Sequence, residues 1–187
     1  MPMIRECIVT TIGAAGTVHI APLGLIAAED HWIIAPFRPS TTLENLRQVP
    51  CAIANWTDDV RIFAGCLTGR RDWPTVPARD VPVPRLEAAL AHAELAVVDI
   101  VEDSQRPRFR CRVVSEHNHR PFGGLNRAKA AVVEAAILTS RLHMLSQSKI
   151  ASEIDYLKIA IDKTAGPEER EAWDWLMERI AAHQGGG

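Results

Sequence analysis

The spacing of apolar residues changes about two thirds of the way along this 187-residue chain, and that change constrains the fold more than any single motif does. In the first part, short extended segments alternate with turn residues, whereas in the last third apolar side chains recur at helical spacing. About six or seven short strands with closely spaced turns are typical of a barrel rather than of a parallel sheet. We therefore predict a mainly β protein with an α-helical C-terminal part.

The first two strands are predicted to form a hairpin. Ile4–Ile12 and Thr17–Ala27 have extended patterns, and Gly13–Gly16 between them supplies flexible turn residues. Pro22 interrupts the second pattern, and because proline has no N–H we expect an edge, a bulge or a distorted ladder there. Backbone groups near Pro22 would then be available to a ligand.

A short buried strand, Trp32–Phe37, is followed directly by a predicted helix that ends before Pro50. Ser40 or Thr41 can cap this helix, and Glu44 stands three residues after Thr41, as in a capping box.

An arginine and three hydroxyl groups stand at the start of that helix. Arg38 can make bidentate contacts with phosphate oxygens, and Ser40, Thr41 or Thr42 can donate hydrogen bonds from the first turn. The positive end of the helix dipole also favours an anion there. The pattern suits a phosphate group, but an ordinary cap with a solvated arginine explains the same residues, and both interpretations stay open.

The middle of the chain is less regular. Val60–Leu67 is apolar but too short to distinguish strand from helix. Four prolines between Arg70 and Arg85 predict a long ordered loop that covers another part of the protein. Arg108–Glu116 alternates arginines with apolar residues, which indicates a strand with one ion-paired face.

The last third is predicted to form three amphipathic helices. Asn126–His143 and Ile150–Ile161 carry apolar residues at helical spacing, and Pro167 stands at the first turn of a final helix.

Composition excludes several classes of function. The net charge of −2 gives no general attraction to nucleic acid or to an anionic membrane. The most apolar stretch, Ala128–Leu138, is interrupted by charges and is well short of the ~18 residues of a membrane span. No secretion signal is expected in Met1–Thr11, and the widely spaced cysteines favour reduced thiols. We expect a cytoplasmic protein without nucleic-acid or membrane partners.

Other candidate sites are weaker. His117 and His119 lie on one face of a strand, but no carboxylate or third histidine stands nearby at metal-ligand spacing, so we predict no metal site. His19 is either a general acid or a packed histidine. Asp58 and Asp59 are either paired carboxylates or turn residues that end a strand.

Several segments together resemble a family known as domain of unknown function 447, whose members look like FMN-binding split barrels. The segments are Thr10–Thr11, His19–Gly24, Arg38–Ser40, Asn55–Phe63 and Phe122–Ala128. The resemblance implies a six-stranded Greek-key split β-barrel of the FMN-binding type in residues 1–122 and a helical subdomain packed on it in residues 123–187. It also implies a homodimer with FMN near the subunit interface.

Carried onto this sequence, the resemblance implies a set of cofactor-binding residues. The FMN phosphate would be held by Arg38, Ser40 and Thr41 or Thr42. The main chain facing the isoalloxazine ring would come from His19, Ile20, Ala21, Pro22 and Leu23. Asn45 and Asn55 are candidates for ribityl or ring-edge contacts. Arg61 and Arg127 could reach over the phosphate or the ring, or could be structural or solvated.

The function that follows is that of an FMN-binding flavoprotein that transfers electrons or hydride to a small molecule the sequence does not identify. No acid, base or nucleophile near the predicted pocket is assigned a catalytic role, which suits flavin chemistry because the cofactor itself accepts the hydride. It suits equally a non-catalytic flavin-binding or flavin-carrier module. An oligomerisation scaffold built on the C-terminal helices is a third interpretation.

Overall fold

The chain begins with the predicted hairpin in the computed structural model, which describes residues 2–185. Strand β1 (Ile4–Ile12) pairs with strand β2 (Val18–Ala28) in a continuous antiparallel register. In the connection, the Gly16 N–H donates to the Gly13 carbonyl over 2.9 Å. Gly16 has a φ of 79°, a left-handed conformation that glycine adopts without steric cost.

Pro22 does not distort this ladder. It lies opposite Ile8 in an unbroken register, so the bulge and the distorted ladder are wrong. The third expectation, an edge position for Pro22, agrees with the structure in part. Among the described residues, only Ile26–Ala28 of β2 pair with the next strand, so Pro22 has a ladder on one side only. Proline fits such a stretch, since a residue that faces the side without a ladder needs no N–H donor.

The chain then passes through two strands and two short helices. They are β3 (His31–Ile34), α1 (Thr41–Gln48), β4 (Cys51–Trp56) and α2 (Val60–Leu67). The segment Val60–Leu67, which the sequence leaves open, is therefore helical. The Asp59 side chain caps it by accepting a hydrogen bond from the Arg61 N–H over 3.1 Å.

Helix α1 is capped by Ser40, whose Oγ accepts a hydrogen bond from the Leu43 N–H over 3.3 Å. The third helical residue is therefore Leu43. The expected capping box between Thr41 and Glu44 is wrong, because the cap is Ser40 and not Thr41.

Four more strands complete the β structure. They are the two-residue strands β5 (Thr75–Val76) and β6 (Arg85–Leu86), and the long strands β7 (Ala91–Val101) and β8 (Arg108–Asn118). Strands β5 and β6 pair with each other, and the other six close an antiparallel barrel in the order β1-β2-β3-β8-β7-β4. The predicted six-stranded barrel is confirmed.

The barrel interior is apolar and continues into α1. Leu25, Leu95 and Phe109 are fully buried in it, and Leu43 and Leu46 of α1 belong to the same cluster. Along β8 the side chains alternate as predicted, because Phe109 and Cys111 point into this cluster while the intervening arginines are exposed. Helix α1 is thereby fixed to the barrel by its apolar face.

The C-terminal part is helical, as predicted. It contains α3 (Arg127–Ser140), a 3₁₀ turn (Leu142–Met144), α4 (Gln147–Thr164) and α5 (Pro167–Gly185). Among residues 2–185, no helix has the length and apolar character that crossing a membrane requires.

Two compact units make up the described chain. Within the described residues, one unit contains 2–57 and Trp73–Phe122, and the other contains Asp58–Asp72 and 123–185. Helix α2 belongs to the second unit because it packs against α3 and α5. The sequence analysis predicts a single division after residue 122. The structure differs because α2, which belongs to the helical unit, lies in the sequence between two barrel strands.

Candidate functional site

Arg38 lies just before α1 and is held by the turn between β7 and β8. Its Nη2 donates to a Glu102 carboxylate oxygen over 2.6 Å, and its Nε donates to the Asp103 carbonyl over 3.1 Å. The side chain remains 37% exposed. Arg38 is thus oriented by two contacts while part of its guanidinium still faces solvent.

A second arginine shares the same carboxylate. Arg47, in the last turn of α1, donates from Nη2 to both oxygens of Glu102 over 2.6 and 2.8 Å. Hydrogen bonding from Arg47, and the charges of Arg47 and Arg38, lower the pKa of Glu102. Two arginines therefore share the Glu102 carboxylate. The Asp103 carboxylate also interacts with the charge of Arg38, and Glu44 lies in the first turn of α1, so the predicted phosphate site contains cationic donors among acidic groups.

The three hydroxyl residues at this helix start differ in their surroundings. Ser40 serves as the cap, Thr41 is exposed, and Thr42 is buried. Of the three, only the exposed Thr41 presents a side chain at the surface without a capping role. Of the predicted phosphate-binding residues, Arg38 and Thr41 are exposed, Ser40 caps the helix and Thr42 is buried.

The predicted ring-facing segment occupies the first half of β2. His19, Ile20, Ala21, Pro22 and Leu23 lie opposite Thr11, Thr10, Val9, Ile8 and Cys7 of β1. Ile20 is buried and the other four are half-buried.

Asn45 connects α1 to this hairpin. Its Nδ2 donates to the Thr11 Oγ1 over 3.0 Å, and Thr11 is the ladder partner of His19. Helix α1 also packs against both strands of the hairpin. The structure thus brings the α1 segment and the β2 segment together in the first unit, with Asn45 buried between them.

Asn55 has a structural environment. It is fully buried; its Nδ2 donates to the Ile8 carbonyl over 3.0 Å, and its Oδ1 accepts from the Leu86 N–H over 2.8 Å. Its amide therefore links β4 to β1 and to β6, and we do not include it in the proposed cofactor site.

The other two predicted arginines belong to the second unit. Arg61 forms two hydrogen bonds to Asp59, over 2.9 and 2.7 Å, and approaches Glu168 at 3.0 Å and Glu171 at 3.9 Å. The hydrogen bonds that Arg61 donates to Asp59 raise the pKa of Arg61 despite partial burial. Three carboxylates thus surround one cation, which opposes phosphate binding. Arg127 is exposed at the first residue of α3.

The cysteines do not provide a nucleophile in the described chain. Burial raises the pKa of Cys66 to about 11 and that of Cys111 to about 12. It also raises the pKa of Cys51, and raises that of Cys7 well above its ordinary range. All four thiols therefore stay protonated at neutral pH, when a thiolate would be needed for attack.

A buried polar cluster, which the sequence analysis missed, lies beneath the long loop before β7. Glu94 is fully buried and accepts hydrogen bonds from the N–H groups of Arg79, Asp80 and Val81 over 2.7 to 2.8 Å. The loop therefore covers β7. This agrees with the prediction that the loop covers another part of the protein. Burial by itself raises the pKa of Glu94, but these donors and His92 outweigh it and bring the pKa below its ordinary value.

Histidines extend this cluster. The His92 Nε2 lies 3.3 Å from Glu94, and the His92 Nδ1 lies 2.8 Å from the His119 Nε2. His117, the ladder partner of His92, stacks on it with ring centroids 5.3 Å apart. Burial lowers the pKa of both His92 and His119, so these rings are neutral at pH 7.

Two cavities lie elsewhere. One of about 290 Å³ is lined by Arg5, Trp32, Trp56, Ala91, His92, Glu116, His117 and Asn118. One of about 280 Å³ lies in the helical unit, and its lining includes His143 and Arg179. Neither of these two cavities includes Arg38 or Ser40.

Family comparison identifies the chain. The family model "Protein of unknown function (DUF447) N-terminal domain" matches residues 5–120, and the model "Protein of unknown function (DUF447)" matches residues 126–178. The chain belongs to the DUF447 family. This confirms the resemblance drawn from the sequence segments. No functionally curated protein matches the chain.

Solved structures share the fold at low sequence identity. An FMN-bound DUF447 protein from Methanosarcina mazei superimposes with a TM-score of 0.82 at 19% identity, covering 96% of each chain. The 2-nitrobenzoate 2-nitroreductase NbaA of Pseudomonas fluorescens gives 0.53 at 20% identity, covering 64% of this chain and 66% of that one. An FMN-binding protein from Thermus thermophilus, with bound 1-cyclohex-2-enone, gives 0.51 at 17%, covering 63% and 71%.

Proposed function

We propose that this chain is a cytoplasmic, homodimeric FMN-binding flavoprotein that transfers electrons or hydride to a small molecule. The observation that carries the proposal is the position of Arg38 just before α1, where a contact with Glu102 orients a guanidinium that stays partly exposed. An anion placed there would meet a partly exposed guanidinium and the positive end of the helix dipole. The FMN-bound family member of similar fold supports the choice of ligand.

The residues of the first unit fit a mononucleotide in distinct roles. Arg38 and Thr41 would hold the phosphate, and Ser40 would fix the helix start by capping it. The main chain of His19–Leu23 would orient the ring, because β2 is fixed there by its ladder with β1. When bound, FMN supplies the redox chemistry, and these residues bind it and hold its orientation.

Two observations support the remaining parts of the proposal. Arg38 and Thr41 are exposed in the single chain, and a second copy of the chain would provide a wall of the cofactor site over them. None of the four cysteines in the described chain forms a disulfide, which is usual in a reducing compartment.

The first test asks whether the protein carries the cofactor. The visible absorption spectrum of freshly purified full-length protein should show a bound flavin, and mass spectrometry of the molecule released by heat should identify FMN. If the protein is colourless and does not bind added FMN, the proposal is wrong and the scaffold interpretation is favoured instead.

A second test separates an enzyme from a flavin carrier. FMN bound to the protein is reduced anaerobically, and reoxidation is followed with nitroaromatic compounds, cyclic enones and quinones as candidate acceptors. An enzyme should reoxidise with at least one acceptor faster than free reduced FMN does. Reoxidation by oxygen alone, at the rate of free FMN, would leave the carrier as the correct function.

A further inference from the structure

We propose that Asp80, Glu94 and His117 form a binding site for a divalent transition-metal ion of the zinc class. One ligand atom of each residue lies within 4.8 Å of the other two. The three come from different elements: Asp80 from the loop between β5 and β6, Glu94 from β7 and His117 from β8. All belong to the first compact unit.

The sheet places two of these ligands side by side. His92 and His117 are ladder partners, and Glu94 is two residues from His92 on the same face of β7. The loop brings the third, because the Asp80 N–H donates to a Glu94 oxygen over 2.7 Å. The carboxylate of Asp80 is thereby positioned next to Glu94 by a backbone contact that does not involve the side chain.

An independent observation points to a ligand at this place. The Nε2 of His117 is shielded from solvent, yet it has no hydrogen-bond partner among the described residues. A buried imidazole nitrogen without a partner loses the hydrogen bond it would make in water. Coordination of a cation would satisfy a nitrogen that carries a lone pair.

The charge of the cluster also favours a cation. Glu94 is fully buried and Asp80 is exposed, so two carboxylates approach each other at the edge of a buried region. Three backbone donors already occupy Glu94, and its contact with His92 is the longest at 3.3 Å. A metal ion would therefore take one oxygen of Glu94 in monodentate fashion, in place of the His92 contact.

The ligand set selects the type of metal. One imidazole nitrogen and two carboxylate oxygens are ligands of Zn²⁺ and similar ions, whereas Ca²⁺ requires six to eight oxygens. With three protein ligands, a fourth position would be left for water. The sequence analysis predicts no metal because the two carboxylates lie far from His117 in the chain and meet it only through the fold.

The role of the ion follows from which elements it joins. It would attach the loop that carries Asp80 to strands β7 and β8, in addition to the hydrogen bonds from the loop backbone. Since a metal that binds only the folded chain shifts the unfolding equilibrium, Zn²⁺ would raise the melting temperature.

The test is calorimetric titration of Zn²⁺ into full-length protein that has been treated with a chelator. We expect saturable binding of about one ion per chain, and an affinity at least about a hundredfold lower in Asp80→Asn and in His117→Gln. Glu87→Gln is the matched control, since Glu87 is an exposed carboxylate directly after β6 and outside the cluster, and this variant should bind Zn²⁺ like the wild type.

Cobalt distinguishes this site from the cysteines. Co²⁺ bound to nitrogen and oxygen ligands should show visible d–d bands without the intense ultraviolet charge-transfer absorption of thiolate ligands. The proposal is overturned by undetectable Zn²⁺ binding, by a thiolate spectrum, or by affinity unchanged in Asp80→Asn. Asp80 is exposed, so that variant decides the question even if His117→Gln fails to fold.

Discussion

Helices α1 and α2 are each eight residues long, and each begins beside an arginine, but their electrostatic surroundings differ. Beside α1, two arginines, Arg38 and Arg47, form ion pairs with one carboxylate, Glu102. Beside α2, Arg61 faces Asp59, Glu168 and Glu171, so negative charge is in excess. We therefore expect a capped helix with a nearby arginine to bind an anion only when the carboxylates around it do not already neutralise the arginine.

Replacing Arg38 should have the largest effect, which is on the affinity for FMN. Arg38→Ala should weaken FMN binding about ten- to hundredfold, because it removes a charge-assisted contact worth about 1.5 to 3 kcal/mol. Fluorescence titration of FMN measures the affinity, and circular dichroism checks that the fold is intact. FMN affinity equal to that of the wild type would show that the phosphate does not lie at α1.

Replacing Arg61 should affect stability instead. Arg61→Ala leaves three carboxylates without their shared cation, and we expect the free energy of unfolding to fall by about 1 to 2 kcal/mol. Urea denaturation measures this change. Arg127→Ala, at an exposed position of α3, is the control and should change stability by less than about 0.5 kcal/mol. Loss of FMN affinity in Arg61→Ala comparable to that in Arg38→Ala would contradict the distinction between the two helices.

Removing the carboxylate beside α1 should have the smallest effect. Glu102→Gln should bind FMN about threefold more tightly at pH 7, because an exposed ion pair competes only weakly for Arg38. If affinity falls instead, Glu102 positions Arg38 rather than competing with the phosphate.

The same carboxylate gives a pH dependence of stability. The pKa of Glu102 is lowered in the folded chain from its ordinary 4.5, so its contribution is present above pH 4.5 and disappears as the pH falls through the lower folded value. Acid unfolding curves of the wild type and Glu102→Gln should therefore converge at the lowest pH.

Much of the barrel could be predicted from local patterns. The hairpin, the alternation on β8 and the three C-terminal helices all follow from residue spacing that short segments contain. The helical state of Val60–Leu67 does not follow from spacing, because a mostly apolar segment of eight residues fits either a strand or a helix. Asp59 was the available signal, since an aspartate before such a segment favours a helix cap.

The candidate sites were predictable only in part. Arg38 and the hydroxyl residues are contiguous with α1, so their juxtaposition is local. The contact of Arg38 with Glu102 is not local, because that carboxylate comes from a turn more than fifty residues away in the chain. Asn55 is of a residue type that can contact a ligand, but its partners on β1 and β6 come together only when the barrel has formed.

The hydrogen bonds to Glu94 give residues 79–81 a property that is unusual for a loop. Their three consecutive amides donate to a carboxylate with no exposed surface, so they can reach solvent only if that carboxylate loses its donors inside the protein. Their hydrogens should therefore exchange with deuterium as slowly as those of the barrel strands, and the loop should open only together with β7.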